Sequence, residues 1–142
     1  MAGNVVLGYD GSDGSKAALR VAVAVAQAFQ APLSIVFGFE GGPVGAESLD
    51  YHAELQRRGD ELIDEAVEAV HRAEPSLETE KLVVRMKAVD ALLETADERE
   101  ARVIVVGGMG EAPILGAILG SVPHKLLYRA KVPVLVVPVD ES

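Results

Sequence analysis

The feature that most constrains the fold is a run of four aliphatic residues followed at once by glycines. Val103-Ile104-Val105-Val106 leads directly into Gly107-Gly108-Met109-Gly110. A short, continuous apolar run predicts a buried strand. A glycine-rich turn after such a strand is where α/β sheets present backbone amides to phosphate groups. Because glycine has no Cβ, the backbone at Gly107 and Gly110 can approach a ligand closely.

A second glycine cluster lies nine residues after Gly110. Gly120-Ser121 is predicted to open a helix, with Ser121 as its N-cap. Turns between strands and helices often contain glycine for purely geometric reasons, and a lone Gly-x-x-Gly motif has a high false-positive rate. The second cluster, together with a similar turn at Gly8–Ser15, favours a functional interpretation. Two amide-rich turns at one edge would form a cradle for an anion.

Apolar runs alternate with helical patterns along the whole chain. The predicted strands are Asn4–Tyr9, Leu33–Phe39, Lys81–Met86, Arg102–Val106 and Val132–Val137. The predicted helices are Ala17–Phe29, an amphipathic Leu49–Ala73, a short helix capped by Asp90, and Val122–Arg129. This alternation predicts one α/β domain over residues 1–142, an open, doubly wound parallel sheet with helices on both faces.

The predicted topology also places the candidate site. Ligands of such sheets bind outside the carboxyl ends of the strands, where the strand order reverses. Both Gly8–Ser15 and Gly107–Gly110 follow carboxyl ends, and they are neighbours if the first and fourth strands are adjacent. Pro133 cannot donate a backbone hydrogen bond, which predicts that the last strand lies at a sheet edge. A free apolar edge of this kind favours pairing with another chain.

Composition excludes several classes of function. With 49% apolar residues the chain can bury one sizeable core. The net charge of −9 makes nucleic acid and anionic membranes poor partners. The chain has no cysteine, so disulfides and thiol catalysis are excluded. The first predicted helix follows Lys16, contains Arg20 and is too short for a membrane span, so we expect a cytoplasmic protein.

Several motifs together resemble those of the universal stress protein family, over nearly the whole chain. They are the opening Val5-Val6-Leu7-Gly8-Tyr9-Asp10-Gly11-Ser12, Asp90-Ala91-Leu92-Leu93, and the ending Pro133-Val134-Leu135-Val136-Val137. The most specific is Gly107-x-x-Gly110-x(9)-Gly120-Ser121, which is similar to the nucleotide-binding motif of the ATP-binding branch.

The resemblance implies five parallel strands in the order 3-2-1-4-5, with an adenine nucleotide at the crossover. It also implies a homodimer formed by pairing of the last strands, Val132–Val137. Asp10 would contact the ribose or a Mg²⁺ ion bound to the phosphates, and the backbone of Phe37 and Gly38 would face the adenine. The implied nucleotide-binding residues are Gly8, Tyr9, Asp10, Phe37, Gly38, Val106, Gly107, Gly108, Gly110, Gly120, Ser121, Val122 and Pro123.

The chain departs from the family pattern at three places. Met109 stands where an arginine or histidine is frequent, and Pro123 where threonine or serine is frequent. Met86-Lys87-Ala88 replaces the usual Gly-x-Pro before the third helix. The first two changes remove donors from the site, since Met109 has no charge and Pro123 has no N–H. We therefore expect weak discrimination between ATP and AMP or a cyclic monophosphate.

Two functions of different classes fit these residues. The first is a regulatory protein of the stress response that binds an adenine nucleotide, namely ATP, AMP or cyclic AMP. The second is a slow Mg²⁺-dependent nucleotidase or phosphotransfer protein using Asp10, a metal and Ser121. Asp10 can equally cap the first helix, because one carboxylate alone is a weak Mg²⁺ site. Ser121 and His124 share a helix face, but no third group to orient the histidine is evident.

Overall fold

The computed structural model describes residues 3–40, 47–108 and 119–139. Strands and helices alternate in these residues. The elements are β1 (Val5–Gly8), α1 (Asp13–Phe29), β2 (Leu33–Gly38), α2 (Glu47–Ala73), β3 (Thr79–Val84), α3 (Ala88–Glu98), β4 (Val103–Gly107), α4 (Ser121–Arg129) and β5 (Val134–Val137). The strands form one parallel sheet in the order β3-β2-β1-β4-β5. This confirms the predicted fold class, the adjacency of the first and fourth strands, and the edge position of the last.

The sheet is buried on both faces because helices cover each side. Leu7 and Val105 face α1 and α2 in one apolar cluster, which also contains Ile63. Val6 and Ile104 belong to the other cluster, where α3 and α4 cover the sheet. The central strands β1 and β4 therefore consist almost wholly of aliphatic residues, as expected for parallel strands with both faces covered.

Helix α1 begins with a side-chain cap and ends with a left-handed residue. Ser12 is the N-cap, and its hydroxyl accepts from the Ser15 amide at 3.2 Å. Gln30 closes the helix at φ 55° with its N–H directed at the last carbonyls. The helix buries small residues such as Ala18 and Ala22 against the sheet, so its axis can lie close to the strands.

Two predicted helix caps are wrong. Asp90 lies inside the first turn of α3, whose N-cap is Lys87, and it forms an ion pair with Arg129 at 3.0 Å. Ser121 is the first residue of α4, and Gly120 is the N-cap. Gly120 has an extended backbone, and its carbonyl accepts from the His124 amide at 3.1 Å. The first intrahelical bond of α4 therefore starts at Gly120, one residue before the predicted cap.

Three predicted strands differ from the observed ones by one residue at one or both ends, and the other two, β3 and β5, differ by two. β3 spans Thr79–Val84, earlier than predicted, because the chain turns at Met86, whose amide donates to the Val84 carbonyl. β5 is shorter than predicted and begins at Val134. Pro133 precedes it, and its carbonyl accepts from the Ile104 amide at 3.0 Å. A proline can offer a carbonyl to the neighbouring strand but no N–H.

Helix α2 packs against β2 at a glycine. A Cβ at Gly59 would lie 2.6 Å from Cδ2 of Phe37 and 2.8 Å from Cγ1 of Val83. Glycine inside a helix costs roughly 1 kcal/mol relative to alanine, and here it allows the aromatic ring to fit beneath the helix. Among the described residues, none of the helices combines the length and apolarity that a membrane crossing needs.

A polar network joins the amino-terminal ends of three strands, at the end of the sheet opposite the glycine turns. Asn4 donates to the buried Ser34 hydroxyl at 2.8 Å, and Ser34 donates to Oε1 of Glu80 at 2.9 Å. The Arg99 guanidinium donates to both Glu80 oxygens, at 3.0 and 2.5 Å. The network satisfies a hydroxyl that would otherwise be buried without a partner.

The network makes stability depend on pH. The Arg99 hydrogen bonds, and secondarily the Ser34 hydroxyl, lower the pKa of Glu80. A depressed folded-state pKa means that the ionised carboxylate stabilises the fold above the ordinary carboxyl range, and that this stability is lost as pH falls through the folded pKa. We expect Glu80→Gln to lower the free energy of unfolding by about 0.5–1 kcal/mol at pH 7, because the pair is partly exposed. Urea unfolding at pH 7 and near pH 3 measures this, and an equal loss at both pH values would contradict it.

Candidate functional site

A pocket opens at the carboxyl ends of β1, β2 and β4, at the point where the strand order reverses. Its cavity volume is about 140 Å³. From β1 the chain crosses to β2 on one side, while β4 pairs with β1 on the other. The two connections leave the sheet in opposite directions, and this creates the crevice. The lining residues are Gly8, Tyr9, Asp10, Ser12, Ser15, Val36, Phe37, Gly38, Ala88, Leu92, Val106, Gly107, Gly120, Ser121, Val122 and Pro123.

The structure brings most of the predicted site residues into this one pocket. Among the described residues, every predicted member lines it except Gly108. Gly108 is buried behind the lining, and its amide donates to the Val137 carbonyl at 2.8 Å. Gly110 lies outside the described residues, as does Met109.

Five lining residues were not predicted. Ser12 and Ser15 lie in the Gly8–Ser15 turn, but neither serine was predicted to line the site. Val36 was not singled out in the sequence, and Leu92 was named only as part of the Asp90-Ala91-Leu92-Leu93 motif, because only sheet register and helix orientation bring these aliphatic side chains to the pocket. Ala88 lies at the start of α3, in the stretch where the family pattern is lost. The serine-rich turn was the available signal for Ser12 and Ser15. Nothing in the sequence indicated that the other three residues line the pocket.

The turn between β1 and α1 satisfies its own polar groups. Oδ1 of Asp10 accepts from the Ser12 amide at 2.9 Å, and the Ser15 hydroxyl donates to the Ser12 carbonyl at 3.0 Å. Gly11 lies between them at φ 84°, a conformation that glycine adopts without strain. Asp13 adds a negative charge to the first turn of α1. The amino terminus of α1 is therefore already capped and electrostatically compensated.

The amino terminus of α4 is different, because no side chain of the described residues caps it. Its N-cap is Gly120, and no acidic residue lies in its first turn. The Gly120 amide donates to the Gly108 carbonyl at 2.8 Å. Helix geometry leaves the amides of Ser121 and Val122 without an intrahelical acceptor, and Pro123 has no N–H. This end of the pocket therefore offers two amides, a hydroxyl and the positive end of a helix dipole to an anion.

The opposite end of the pocket is largely apolar. Phe37 lies half-buried beneath α2 and stacks with Phe39, their ring centroids 6.3 Å apart. Gly38 packs so closely on the following turn that a Cβ would lie 2.7 Å from the Met86 carbonyl oxygen. Tyr9 is buried, and this burial, with the nearby charges of Glu65 and Asp10, raises the pKa of its phenol. The pocket thus suits a ligand with a flat, weakly polar part and an anionic part.

The structure provides no support for a catalytic pair at this site. His124 contacts the edge of the Tyr128 ring, with centroids 5.2 Å apart, and no hydrogen bond joins it to the exposed Ser121. In the part of the chain that the structure describes, no three histidine or acidic side chains converge as metal ligands. Among the described lining residues Asp10 is the only one with a carboxylate.

A larger groove lies between α3 and the end of α4, with a volume of about 690 Å³. Its walls carry charges of both signs, from Asp90, Glu94 and Asp97 on one side and Arg129 and Lys131 on the other. It includes no glycine turn, and Asp90, its contribution from the first turn of α3, is acidic and already paired with Arg129. The smaller pocket at the crossover is the better candidate because its backbone donors converge on one place.

Two glycines of the pocket are required by packing to different degrees. A Cβ at Gly107 would lie 2.7 Å from the Gly14 carbonyl, so the backbone itself would have to move. A Cβ at Gly8 would lie 3.1 Å from Cδ1 of Leu92, a side chain that can shift. We expect Gly107→Ala to lower the free energy of unfolding by about 2–3 kcal/mol and Gly8→Ala by less than about 1.5 kcal/mol. Guanidinium unfolding of the two variants compares them, and equal losses would contradict this packing.

Comparisons of the sequence with known proteins all lead to one family. The model of the universal stress protein family matches residues 1–138. A universal stress protein of Mycobacterium tuberculosis is 36% identical over 139 residues, covering 94% of both chains. One of Thermus aquaticus is 32% identical, covering 94% of this chain and 96% of its own.

Solved structures agree with the sequence comparisons. A universal stress protein in complex with cAMP is 33% identical and covers 97% of this chain and 98% of its own, with a TM-score of 0.75. A universal stress protein of Archaeoglobus fulgidus in complex with dAMP is 26% identical, covering 96% and 98%, with a TM-score of 0.69.

Proposed function

The chain belongs to the universal stress protein family, and from this premise we propose that it is a regulatory protein that binds an adenine nucleotide. The observation that carries the proposal is the uncapped amino terminus of α4, which opens into the crossover pocket opposite an apolar end. Relatives of known structure have been solved with cAMP and with dAMP, both adenine monophosphates. A pocket that joins an apolar end to an anion cradle has the polarity that such ligands require.

The two ends of the pocket determine the orientation of the ligand. The phosphate binds at Gly107 and Gly120 and accepts hydrogen bonds from the amides of Ser121 and Val122. The adenine lies against Phe37 and the backbone of Gly38, a position that the family resemblance also favours. The ribose then lies between these ends, near Asp10, whose carboxylate accepts hydroxyl hydrogen bonds. The α1 terminus is not the phosphate site, since Ser12 and Asp13 already occupy that role.

The described donors suit a single phosphate. Pro123 removes one amide from the first turn of α4, and Gly108 uses its amide within the sheet. Outer phosphates of ATP therefore meet no additional described donor at this helix. Each missing hydrogen bond to a charged group is worth about 1.5–3 kcal/mol, enough to offset the extra charge of a triphosphate. We propose that the site discriminates only weakly between ATP and AMP or a cyclic monophosphate.

Binding without efficient turnover is the role that this site supports. Asp10 can contribute one oxygen to a Mg²⁺ ion carried by the phosphates, since its other oxygen accepts from Ser12. A single carboxylate does not make a metal site by itself. Ser121 and His124 form no hydrogen bond that would activate a nucleophile. Sensing or sequestering a nucleotide is accordingly favoured over the nucleotidase or phosphotransfer alternative.

Titration of the purified protein with AMP, cAMP and ATP tests the proposal. We expect each to bind, and the dissociation constants of AMP and ATP to agree within about tenfold, a difference of ~1.4 kcal/mol. Isothermal calorimetry with and without Mg²⁺ measures these constants, and phosphate release from ATP measures turnover. Failure of all three to bind would refute the nucleotide proposal. Binding of ATP more than about a hundredfold tighter than AMP, ~2.7 kcal/mol, would refute the single-phosphate site.

We also propose that β5 pairs with β5 of a second copy. Among the described strands β5 is bonded to β4 alone, and its other edge includes the exposed Leu135. Val134 and Val136 beside it are half-buried. An apolar edge strand of this kind is a site for pairing with another chain unless a charge prevents it.

Leu135→Lys places a charge on the proposed pairing edge. We expect the unmodified protein to be a dimer at micromolar concentration and this variant to be a monomer. Tyr51→Lys is the matched control, because Tyr51 is also exposed and apolar but lies on α2. Light scattering coupled to size exclusion gives the masses, and a monomeric parent protein would end the proposal.

A further inference from the structure

Gly108 has a place in the structure that its position in the glycine motif does not suggest. It lies between the pocket residue Gly107 and the edge strand β5, and it is buried. Its N–H donates to the Val137 carbonyl at 2.8 Å, and its own carbonyl accepts from the Gly120 amide at 2.8 Å. Both polar groups of this one residue are therefore used to connect other elements.

These two backbone hydrogen bonds connect β5 to α4 through Gly108, and together they are called the Gly108 relay. Val137 is the last residue of β5 and is buried against the core. Gly120 is the N-cap of α4, whose carbonyl starts the first intrahelical bond to His124. Because Gly120 is held at its amide and at its carbonyl, the direction of the first turn of α4 depends on where Gly108 lies.

Packing limits how far Gly108 can move. A Cβ at this position would lie 3.1 Å from Cγ1 of Val136 and 3.4 Å from the Val137 carbonyl oxygen. At the first distance the Val136 side chain and the Gly108 backbone must separate by a few tenths of an ångström, and Gly108 takes part of this shift. A side chain at residue 108 would thus push the relay away from β5, and the displacement would pass to the Gly120 amide.

We propose that Gly108 is a positioning residue, which holds the amino terminus of α4 in the geometry that a ligand phosphate requires. The inference rests on the proposed function, since it concerns the same pocket. The amides of Ser121 and Val122 follow directly after Gly120, so a shift of the N-cap redirects both. Hydrogen bonds weaken steeply when donor and acceptor are misaligned. The role is indirect, because Gly108 does not line the pocket.

Comparison of AMP with adenosine isolates this role. Adenosine has the base and ribose of AMP but no phosphate, so it does not depend on the α4 terminus. We expect Gly108→Ala to raise the dissociation constant of AMP about tenfold, the effect of losing roughly one hydrogen bond to a charged group. The dissociation constant of adenosine should change by less than about twofold, because the apolar end of the pocket is untouched.

A rescue variant distinguishes positioning from general damage. Val136→Ala removes the methyl group that a new Cβ would meet, and Val136 itself does not line the pocket. We expect Gly108→Ala with Val136→Ala to bind AMP within about threefold of the parent protein, and Val136→Ala alone to bind it normally. No recovery in the double variant, or equal losses for AMP and adenosine in Gly108→Ala, would overturn the inference.

A measurement on the unmodified protein covers the case in which Gly108→Ala does not fold. Amide hydrogen exchange followed by NMR reports the two relay bonds directly. We expect AMP to slow exchange at the amides of Gly108 and Gly120, and adenosine to leave both nearly unchanged. Unchanged exchange at Gly108 with saturating AMP would overturn the inference. If AMP does not bind the parent protein at all, the proposed function fails instead, and calorimetry identifies that outcome separately.

Discussion

The close approach of α1 to the end of β4 is the constraint on which the site depends. Gly107 and Gly14 come so near that a Cβ on the first would lie 2.7 Å from the backbone of the second. This approach brings the turn after β1 beside the turn after β4 and closes one wall of the pocket. A side chain at residue 107 would separate the two turns, and their backbone groups would no longer face one ligand.

The two helix termini at the pocket differ in how far their polar groups are satisfied. Ser12 caps α1, and Asp13 compensates its dipole, so this terminus is complete without a ligand. α4 begins at Gly120 with neither a side-chain cap nor an acidic residue in its first turn. An unsatisfied terminus costs free energy unless water or a ligand supplies the acceptors. This asymmetry, more than the number of glycines, determines which end of the pocket can receive the anionic part of a ligand.

Stability and ligand contacts are separated across the sheet. The network of Ser34, Glu80 and Arg99 joins the amino-terminal ends of the strands, where no part of the candidate pocket lies. The carboxyl ends carry glycines and a helix terminus without a cap, features that add little stability of their own. Between the two ends lies an aliphatic core covered on both faces, which fixes the strands so that the turns above them keep their positions.

The sequence by itself determined the fold class, because buried aliphatic strands alternating with amphipathic helices allow only a parallel sheet covered on both faces. Turn composition also indicated the crossover pocket, and the family resemblance implied most of its lining. The caps at Asp90 and Ser121 were predicted wrongly, since local propensity does not show which carbonyl starts a helix. Only the tertiary structure decided the place of Gly108, behind the pocket and bonded to β5 and α4. Its partners are distant in sequence: the register of β4 with β5 brings Val137 within hydrogen-bonding distance, and the position of α4 brings Gly120 there.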